Sequence, residues 1–282
     1  MTTIQQAKSQ VLLSLHHDNH FLVLPNIWNP IGAKLLAAKG FPAVATASAA
    51  ISASLGYADG ERISFATLLD LLRRIVESVD VPVTADIETG FAESLPSLKE
   101  NMQQVIETGV VGINIEDSLV EGGPLRSIDE QCTRIAAIRE TSTQCGLHLV
   151  INARVDSFLS DRFTSDTDKR KEAVIRAQHY VQAGADCIYP IGPGNRDTVQ
   201  YFRDQMNCPI NVLASAGAIS LTELQALGIN RVSFGPYVFR ACLGRLSSIL
   251  DELSNQNSSV CFTSEALASA DIEPYLNKGK EV

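Results

Sequence analysis

The sequence predicts an α/β fold, a TIM (β/α)8 barrel, on three observations. Eight short apolar segments of strand type recur along the 282 residues. Segments with the periodicity of amphipathic helices separate them, which indicates a parallel sheet covered by helices. Eight such units in about 240 residues match the length of a closed barrel better than that of an open doubly wound sheet, which is the alternative.

The predicted strands are apolar along their whole length, as expected of strands that are buried on both faces. In chain order they are FLVL (21–24), AVATA (43–47), VPVTA (81–85), VGINI (111–115), HLVINA (148–153), DCIYP (186–190), PINVL (209–213) and RVSF (231–234).

The predicted helices repeat apolar residues every three or four positions. FATLLDLLRRIV (65–76) is typical, and several such segments end at a glycine, where a left-handed residue commonly closes a helix. These glycines are Gly40, Gly109, Gly184 and Gly228. A last helix is predicted over PYVFRACLGRLSSILDEL (236–253). We therefore expect one barrel domain over residues 1–255 and a C-terminal tail over 256–282.

Composition narrows the classes of partner and compartment. The net charge is -9 and the one basic run, DKRKE (168–172), is short, which argues against nucleic acid. No stretch reaches the roughly 18 apolar residues of a membrane span. Six cysteines without a CxxC pair, and an N-terminus without a secretory apolar core, predict free thiols in the cytoplasm.

Acidic side chains stand at the carboxyl ends of neighbouring predicted strands, which is where barrel enzymes place their chemistry. Asp86 and Glu88 end the third strand, and Glu116 ends the fourth. Alternation along a strand predicts that Asp86 and Glu88 point the same way, and three converging carboxylates would repel one another. Mg²⁺ would relieve the repulsion and suits oxygen ligands better than Zn²⁺ does. In the alternative reading Asp86 caps a helix and Glu88 pairs with Arg154.

Three further positions on this edge could bind a substrate. Arg154 ends the fifth strand, where a guanidinium could bind a carboxylate or a phosphoryl group, or serve as a structural partner for an acid. The small residues Ala47, Ser48 and Ala49 allow close backbone approach, so their N–H groups could hold an oxyanion, although such loops also serve as packing. Asn211, on the seventh strand, is expected to bind substrate.

The motifs VPVTADIETG, VGINIEDS and VINARVD, together with NPIGAKLLAAKGFPAV and AISASLGYADGE, resemble the isocitrate lyase/phosphoenolpyruvate mutase family over about residues 20–240. The resemblance implies a TIM barrel whose last helix is exchanged between subunits, commonly in a homotetramer built as a dimer of dimers. It also implies that Mg²⁺ and a 2-oxo acid bind at the mouth of the barrel.

The resemblance also assigns roles by position. Asp86 is similar to the acid that coordinates Mg²⁺ most directly, and Glu88 and Glu116 look like ligands directly or through water. Asp59 is similar to an acid that stands just outside the ligand set, and Arg154 to the arginine that binds the substrate carboxylate. Arg154, Glu116 and Asp59 are therefore the expected catalytic residues, and Ala47, Ser48 and Ala49 occupy the oxyanion position.

In such sites the metal and the backbone N–H groups stabilise the enolate of pyruvate as a bond at C3 breaks. The loop at 118–127, which would decide the bond, lacks the KKCGH segment of the lyases and the Lys with Asn or Thr of the mutases. Glu121 and Arg126 are its only charged residues. We expect an Mg²⁺-dependent carbon–carbon lyase, for example in oxaloacetate decarboxylation or retro-aldol cleavage. The alternatives are phosphonopyruvate mutase or hydrolase chemistry, and a non-catalytic 2-oxo-acid-binding protein that is likewise a dimer or tetramer.

Overall fold

The computed structural model describes residues 2–17, 20–119, 123–215, 217–254 and 266–276. Parallel strands and helices alternate through most of these ranges. The strands are β1 (Leu22–Leu24), β2 (Asn26–Ile27), β3 (Val44–Thr46), β4 (Val83–Asp86), β5 (Gly112–Glu116), β6 (Val150–Val155), β7 (Cys187–Pro190), β8 (Asn211–Leu213) and β9 (Arg231–Ser233). All eight predicted strand segments are confirmed.

The helices of the described ranges surround these strands or close their ends. They are α1 (Thr3–His16), α2 (Pro30–Ala38), α3 (Ser48–Ser54), α4 (Phe65–Glu77), α5 (Leu95–Glu107), α6 (Ile128–Gln144), α7 (Asp166–Gln182), α8 (Arg196–Gln205), α9 (Leu221–Ala226), α10 (Tyr237–Ser254) and α11 (Ser269–Ile272), with a 3-10 turn at Glu273–Tyr275. The predicted helices at 65–76 and 236–253 are confirmed.

The described strands close into an eight-stranded parallel barrel, in which β1 and β2 together count as the first barrel strand. Strands β2 to β7 form one ladder in chain order, and β1, β9 and β8 form a second. Pro25 has no N–H to donate and divides the first barrel strand in two. The first part, β1, pairs with β9, and the second part, β2, pairs with β3. A parallel bridge between Ile188 and Ile210 joins β7 to β8. The TIM-barrel fold class is therefore confirmed.

Helix packing follows the apolar periodicity of the sequence. Helix α4 buries Leu68, Leu69, Leu72 and Ile75, which belong to the continuous core between strands and helices.

The four glycines expected at helix ends all have positive φ, from 73° at Gly228 to 114° at Gly184. That conformation carries no steric cost for glycine, so each chain reversal is accommodated locally.

Two helices differ from the sequence-based expectation. Helix α1 closes the amino end of the barrel, where Leu12 packs with Leu22 and Leu24; it buries only Ser9, Leu12 and His16, a stripe too narrow for a clear periodic signal. Helix α3 replaces the loop expected around Ala47. Its alanines favour helix, and the N–H of its first residue has an acceptor in Asp86.

The last helix packs only at its start. Phe239 of α10 is buried and contacts Trp28 edge to face, with ring centroids 4.9 Å apart. Further along the helix, Leu243, Leu246, Leu250 and Leu253 are exposed. Pro274 and Tyr275 lie beside α2, whereas residues 255–265 and 277–282 of the expected tail lie outside the described residues. Across the described ranges, every helix is too short or too polar to traverse a bilayer.

Candidate active site

A cavity of about 280 Å³ opens at the carboxyl ends of the strands. Strand-end residues form its floor and one wall, and the first turn of α10 contributes to the opposite wall. Its lining comprises Asn26, Ala47, Ser48, Ala49, Asp59, Asp86, Asn114, Arg154, Leu159, Tyr189, Ile191, Leu213, Gly235, Pro236, Tyr237 and Arg240. The structure therefore brings Asp59, Asp86 and Arg154 together, as the sequence predicts.

Asp86 ends β4 and is held from two sides. Its N–H donates to Oγ1 of Thr46 at 2.9 Å, and its Oδ2 accepts from the N–H and the Oγ of Ser48, at 3.1 and 3.0 Å. The carboxylate thus does accept from the first residue of a helix, α3, while it also lines the cavity. Both readings of Asp86 are compatible with these contacts, because it accepts from the start of a helix and also lines the cavity.

Glu88 departs from the expected strand alternation. Strand β4 ends at Asp86, and Glu88 has a left-handed φ of 52°, so its side chain leaves the direction that alternation predicts. Its Oε2 accepts from the N–H groups of Gly60 and Glu61, at 2.8 and 2.5 Å. It lines a neighbouring cavity of about 270 Å³ that shares Asp59 with the first. Burial, followed by Asp59 and Asp86, raises the pKa of Glu88 to about 8.

Glu116 and Arg154 form a buried ion pair. Nη1 of Arg154 lies 2.6 Å from Oε2 of Glu116, and its Nε and Nη2 donate to the two oxygens of Asp156, at 2.6 and 3.0 Å. Burial raises the pKa of Glu116 well above its ordinary value, against the opposing charge of Arg154. The alternative pairing of Glu88 with Arg154 is wrong, because Glu116 and Asp156 occupy the guanidinium.

A buried network that the sequence did not reveal supports Asp156. Oδ1 of Asp117 accepts from the N–H of Asp156 at 2.9 Å, and its Oδ2 accepts from Arg176 and Tyr180 at 3.0 and 2.7 Å. Burial and the neighbouring Asp156 raise the pKa of Asp117 to about 6. Residues on α7 therefore fix, through Asp117, the backbone of Asp156, while Oγ of Ser118 donates to Oδ2 of the Asp156 carboxylate at 2.6 Å. The aspartate of the IED motif was the available signal for this role.

The expected oxyanion and substrate positions have different surroundings. Ala47, Ser48 and Ala49 line the cavity, but the N–H of Ala47 donates to the carbonyl of Ile27 at 3.3 Å and that of Ser48 to Asp86. Asn211 is fully buried and donates to Oγ of Ser233 at 3.0 Å. It is not among the residues that line the cavity. The substrate-binding roles of these residues stay predictions.

Tyr189, at the end of a predicted strand, lines the cavity, as do Tyr237 and Arg240, which were missed in the sequence. Arg240 is exposed in the first turn of α10, with its guanidinium carbon 5.6 Å from the ring centroid of Tyr237. Their position directly after a strand end was the usable signal. In the loop after β5, Glu121 lies outside the described residues, and Arg126 is buried with Nη1 2.5 Å from Oε1 of Glu130.

Comparison with known proteins assigns the sequence to a family. The sequence model of the phosphoenolpyruvate phosphomutase family matches residues 12–254. The chain belongs to this family. A 2-methylisocitrate lyase of Aeropyrum pernix is 27% identical over 264 residues, which are 88% of this chain and 80% of that protein. An uncharacterised protein of Mycobacterium tuberculosis strain H37Rv is 30% identical over 231 residues, 81% of this chain and 83% of that protein.

Solved structures of family members share the fold. A Burkholderia cenocepacia J2315 protein assigned as a lyase or mutase superposes with a TM-score of 0.89 at 29% identity, over 97% of each chain. A phosphonopyruvate hydrolase in complex with oxalate and Mg²⁺ superposes with a TM-score of 0.83 at 24% identity, over 95% of this chain and 94% of that one. The relatives include enzymes, among them 2-methylisocitrate lyases and a phosphonopyruvate hydrolase.

The carboxylates of the mouth offer the oxygen donors that Mg²⁺ prefers. The contacts above engage Oδ2 of Asp86 and Oε2 of Glu88 and Glu116, so the other oxygen of each accepts no hydrogen bond within the described ranges. In those same ranges, no three His, Cys, Asp or Glu side chains are grouped so that they could hold a metal by themselves. Mg²⁺ usually binds one or two carboxylates and keeps several waters, so this donor set suits it.

Proposed function

We propose that the chain is an Mg²⁺-dependent carbon–carbon lyase that acts beside the carboxylate of a 2-oxo acid through an enolpyruvate-like intermediate. The observation that carries the proposal is the shared wall of one cavity, where Asp86, Ser48 and Arg154 meet. This wall combines acids that could hold a cation with a guanidinium that could hold an anion. Membership of the phosphoenolpyruvate phosphomutase family supports lyase or mutase chemistry on 2-oxo acids.

Arg154 would bind the substrate carboxylate. A guanidinium has five N–H donors, and three of those of Arg154 go to Glu116 and Asp156. The remaining two donate to no residue of the described ranges and could bind an anion in the cavity that Arg154 lines. Because Asp156 grips the Nε edge, the guanidinium is held in one plane before substrate arrives, which lowers the entropic cost of binding.

Asp86 would be the main metal ligand, with Glu88 and Glu116 acting through water. When bound, Mg²⁺ would stabilise the negative charge that develops on the 2-oxo oxygen. The N–H and Oγ of Ser48 orient the carboxylate of Asp86 through Oδ2, which leaves Oδ1 for the cation. Asp59 lines both cavities and would position water between the acids.

The lining of the cavity favours cleavage that needs no strong protein acid. Among its described residues none is a cysteine, a histidine or a lysine. Tyr189 is buried, and burial raises the pKa of its phenol. This side chain is therefore a weaker acid than an exposed tyrosine. Oxaloacetate decarboxylation and retro-aldol cleavage both leave an enolate that solvent can protonate. These reactions therefore suit a cavity whose described lining offers no cysteine, histidine or lysine as proton donor.

An activity panel tests this function. We would assay oxaloacetate, other 3-substituted 2-oxo acids, 2-hydroxy di- and tricarboxylates and phosphonopyruvate, each with and without Mg²⁺. We expect turnover of a carbon–carbon substrate only with Mg²⁺. Faster cleavage of phosphonopyruvate would replace the proposal with mutase or hydrolase chemistry. Oxalate binding without turnover of any compound would indicate a binding protein.

We also propose that the chain assembles as a homo-oligomer, a dimer or a tetramer, through exchange of α10. The apolar side chains of Leu243, Leu246, Leu250 and Leu253 recur at helical spacing on an exposed surface. Burying them against a second copy would remove this apolar surface from water. Sedimentation of the wild-type protein should show the oligomer, and the double variant L246E/L250E should sediment as a monomer. A monomeric wild-type protein would refute the assembly.

A further inference from the structure

A buried arginine lies inside the barrel beneath the cavity. Arg231 begins β9, has no exposed surface, and contacts three neutral acceptors, each at 3.3 Å: Nε2 of His16, Oγ of Ser233 and Oδ1 of Asn114. In the described part of the chain it forms no ion pair with a carboxylate. A guanidinium carries only hydrogen-bond donors, so each of these three atoms must act as an acceptor.

His16 faces Arg231 as a neutral ring with a defined tautomer. Its Nδ1 lies 2.8 Å from the carbonyl oxygen of Leu12, which can only accept, so Nδ1 carries the hydrogen. Nε2 is therefore the acceptor toward Arg231. Burial, and then the charge of Arg231, lowers the pKa of His16 to about 3, so the ring stays neutral.

The same reasoning fixes the amide of Asn114. A guanidinium cannot accept a hydrogen bond, so the atom of Asn114 that faces Nη2 of Arg231 must be the oxygen. Nδ2 of Asn152 donates to that oxygen as well, at 2.6 Å. The NH₂ group of Asn114 must then point away from both residues. It forms no hydrogen bond with any residue of the described ranges, and Asn114 lines the cavity.

The strand register places this amide among the residues proposed to bind substrate. Asn114 is the partner of Asp86 across β4 and β5, and of Asn152 across β5 and β6. Glu116 and Arg154 lie two residues further along β5 and β6, on the same face as Asn114 and Asn152. The amide therefore lies on the floor of the cavity, between the metal-binding acid and the arginine.

We propose that Asn114 is a substrate-binding residue whose side-chain N–H donates to an oxygen of the bound 2-oxo acid, and that Arg231 is the positioning residue that fixes its amide. This assignment rests on the proposed function of the cavity. A cation on the amide oxygen polarises the group and strengthens its N–H as a donor, since linked hydrogen bonds reinforce one another. A donor fixed in advance in this way stabilises charge that develops on an enolate.

Calorimetric titration with oxalate in the presence of Mg²⁺ tests the assignment. Asn114→Ala removes the donor, and Asn114→Asp removes it while keeping an acceptor for Arg231. We expect oxalate to bind at least tenfold more weakly to both, while Asn114→Asp melts at or above the wild-type temperature. Asn230→Ala is the matched control, because it removes another asparagine amide, one that accepts from the N–H of Ile210 and does not line the cavity. It should bind oxalate within about twofold of wild type.

The outcomes separate this assignment from the proposed function. If the wild-type protein does not bind oxalate with Mg²⁺, the proposed function fails first. If it does, and a folded Asn114→Ala or Asn114→Ser variant binds oxalate as tightly, the role of Asn114 is refuted. For Arg231, we expect Arg231→Met to weaken oxalate binding in the wild type but not in the Asn114→Ala background. Equal losses in both backgrounds would show that Arg231 does not act through Asn114.

Discussion

The two halves of the barrel mouth differ in charge. The half formed by β4, β5 and β6 presents Asp86, Glu116 and Arg154, with Asp156 behind the arginine. The half formed by β7, β8 and the start of α10 presents Tyr189, Leu213, Pro236, Tyr237 and Arg240. Under the proposed function, the charged half would bind the carboxylate and 2-oxo groups that 2-oxo acids share. The other half would contact the part of the substrate that differs between them.

The halves also differ in how firmly the backbone holds them. Strands β5 and β6 pair over five positions, from Gly112 with Val150 to Glu116 with Arg154. Strands β8 and β9 pair over three, and a single bridge joins β7 to β8. The longer ladder carries the buried charges, whose mutual positions must be accurate because unpaired charge is costly in a low-dielectric interior. The following predictions test this contrast, in order of decreasing expected effect.

Removing the cation of the charged half should have the largest effect on stability. Arg154→Met leaves Glu116 and Asp156 buried without their partner, and losing one member of such a pair typically costs about 3–5 kcal/mol. Urea unfolding measures the loss. Arg74→Met is the control, because Arg74 pairs with Asp70 in the open on α4 and should cost under about 1 kcal/mol. Equal losses in the two variants would show that the buried charges are not mutually dependent.

Asp86→Ala should come next, with its main effect on binding rather than folding. Asp86 lines the cavity and is the proposed main metal ligand, so we expect Mg²⁺-dependent oxalate affinity to fall at least about 100-fold, or about 2.7 kcal/mol. Thermal shift and calorimetry with oxalate and Mg²⁺ provide the measurement. Asp70→Ala, on the exposed face of α4, is the matched control. An unchanged oxalate shift in Asp86→Ala would refute the metal assignment.

The sequence predicted the charged half well because its residues lie on regular strands. Asp86, Glu116 and Arg154 end apolar segments, and the register of a parallel ladder brings such ends together. Glu88 shows where this reasoning stops. Once the backbone turns left-handed, alternation no longer gives the direction of a side chain, and the contact with Gly60 and Glu61 depends on another loop.

The opposite half and the barrel interior were less predictable. Arg240 belongs to a helix that reads only as amphipathic, and its place in the cavity depends on how α10 leaves β9. His16 and Arg231 are 215 residues apart, so no local pattern connects them. Their contact requires α1 to close the amino end of the barrel, which is a tertiary event driven by the burial of Leu12.

Substitution of Glu61 tests how much the loops beside the charged half contribute to stability. Its Oε1 accepts from the N–H and Oγ1 of Thr89 and from the N–H of Phe91, at 3.1, 2.7 and 2.8 Å. Glu61→Ala leaves these donors without the acceptor and should cost about 2 kcal/mol of unfolding free energy. Glu61→Gln retains a carbonyl oxygen and should cost less than half as much. Indistinguishable urea midpoints for the two variants would contradict this role.

The buried contact between His16 and Arg231 predicts that the free energy of unfolding depends on pH. His16 stays neutral in the folded protein down to about pH 3, whereas the unfolded chain takes up a proton below about pH 6.5. The contribution of His16 to stability should therefore decrease as the pH falls from 6.5 toward 3, by about 1.4 kcal/mol per pH unit. The His16→Gln variant lacks this titration, so its unfolding free energy relative to wild type should rise by about 2 kcal/mol from pH 7 to pH 5. A difference that does not vary with pH would contradict the neutral ring.

Substitution of Arg240 should have the smallest effect, a loss of affinity that depends on which ligand is bound. It lies across the cavity from the acids, and no ion pair within the described ranges engages it. A longer 2-oxo dicarboxylate could place its second carboxylate against this guanidinium, whereas oxalate has no carbon chain between its two carboxylates. We expect Arg240→Gln to weaken binding of the longer ligand about tenfold, or about 1.4 kcal/mol, and to leave oxalate affinity within about twofold. Calorimetry with both ligands measures the ratio. If oxalate weakened as much, Arg240 would act on the shared carboxylate and the division of labour between the two halves would be wrong.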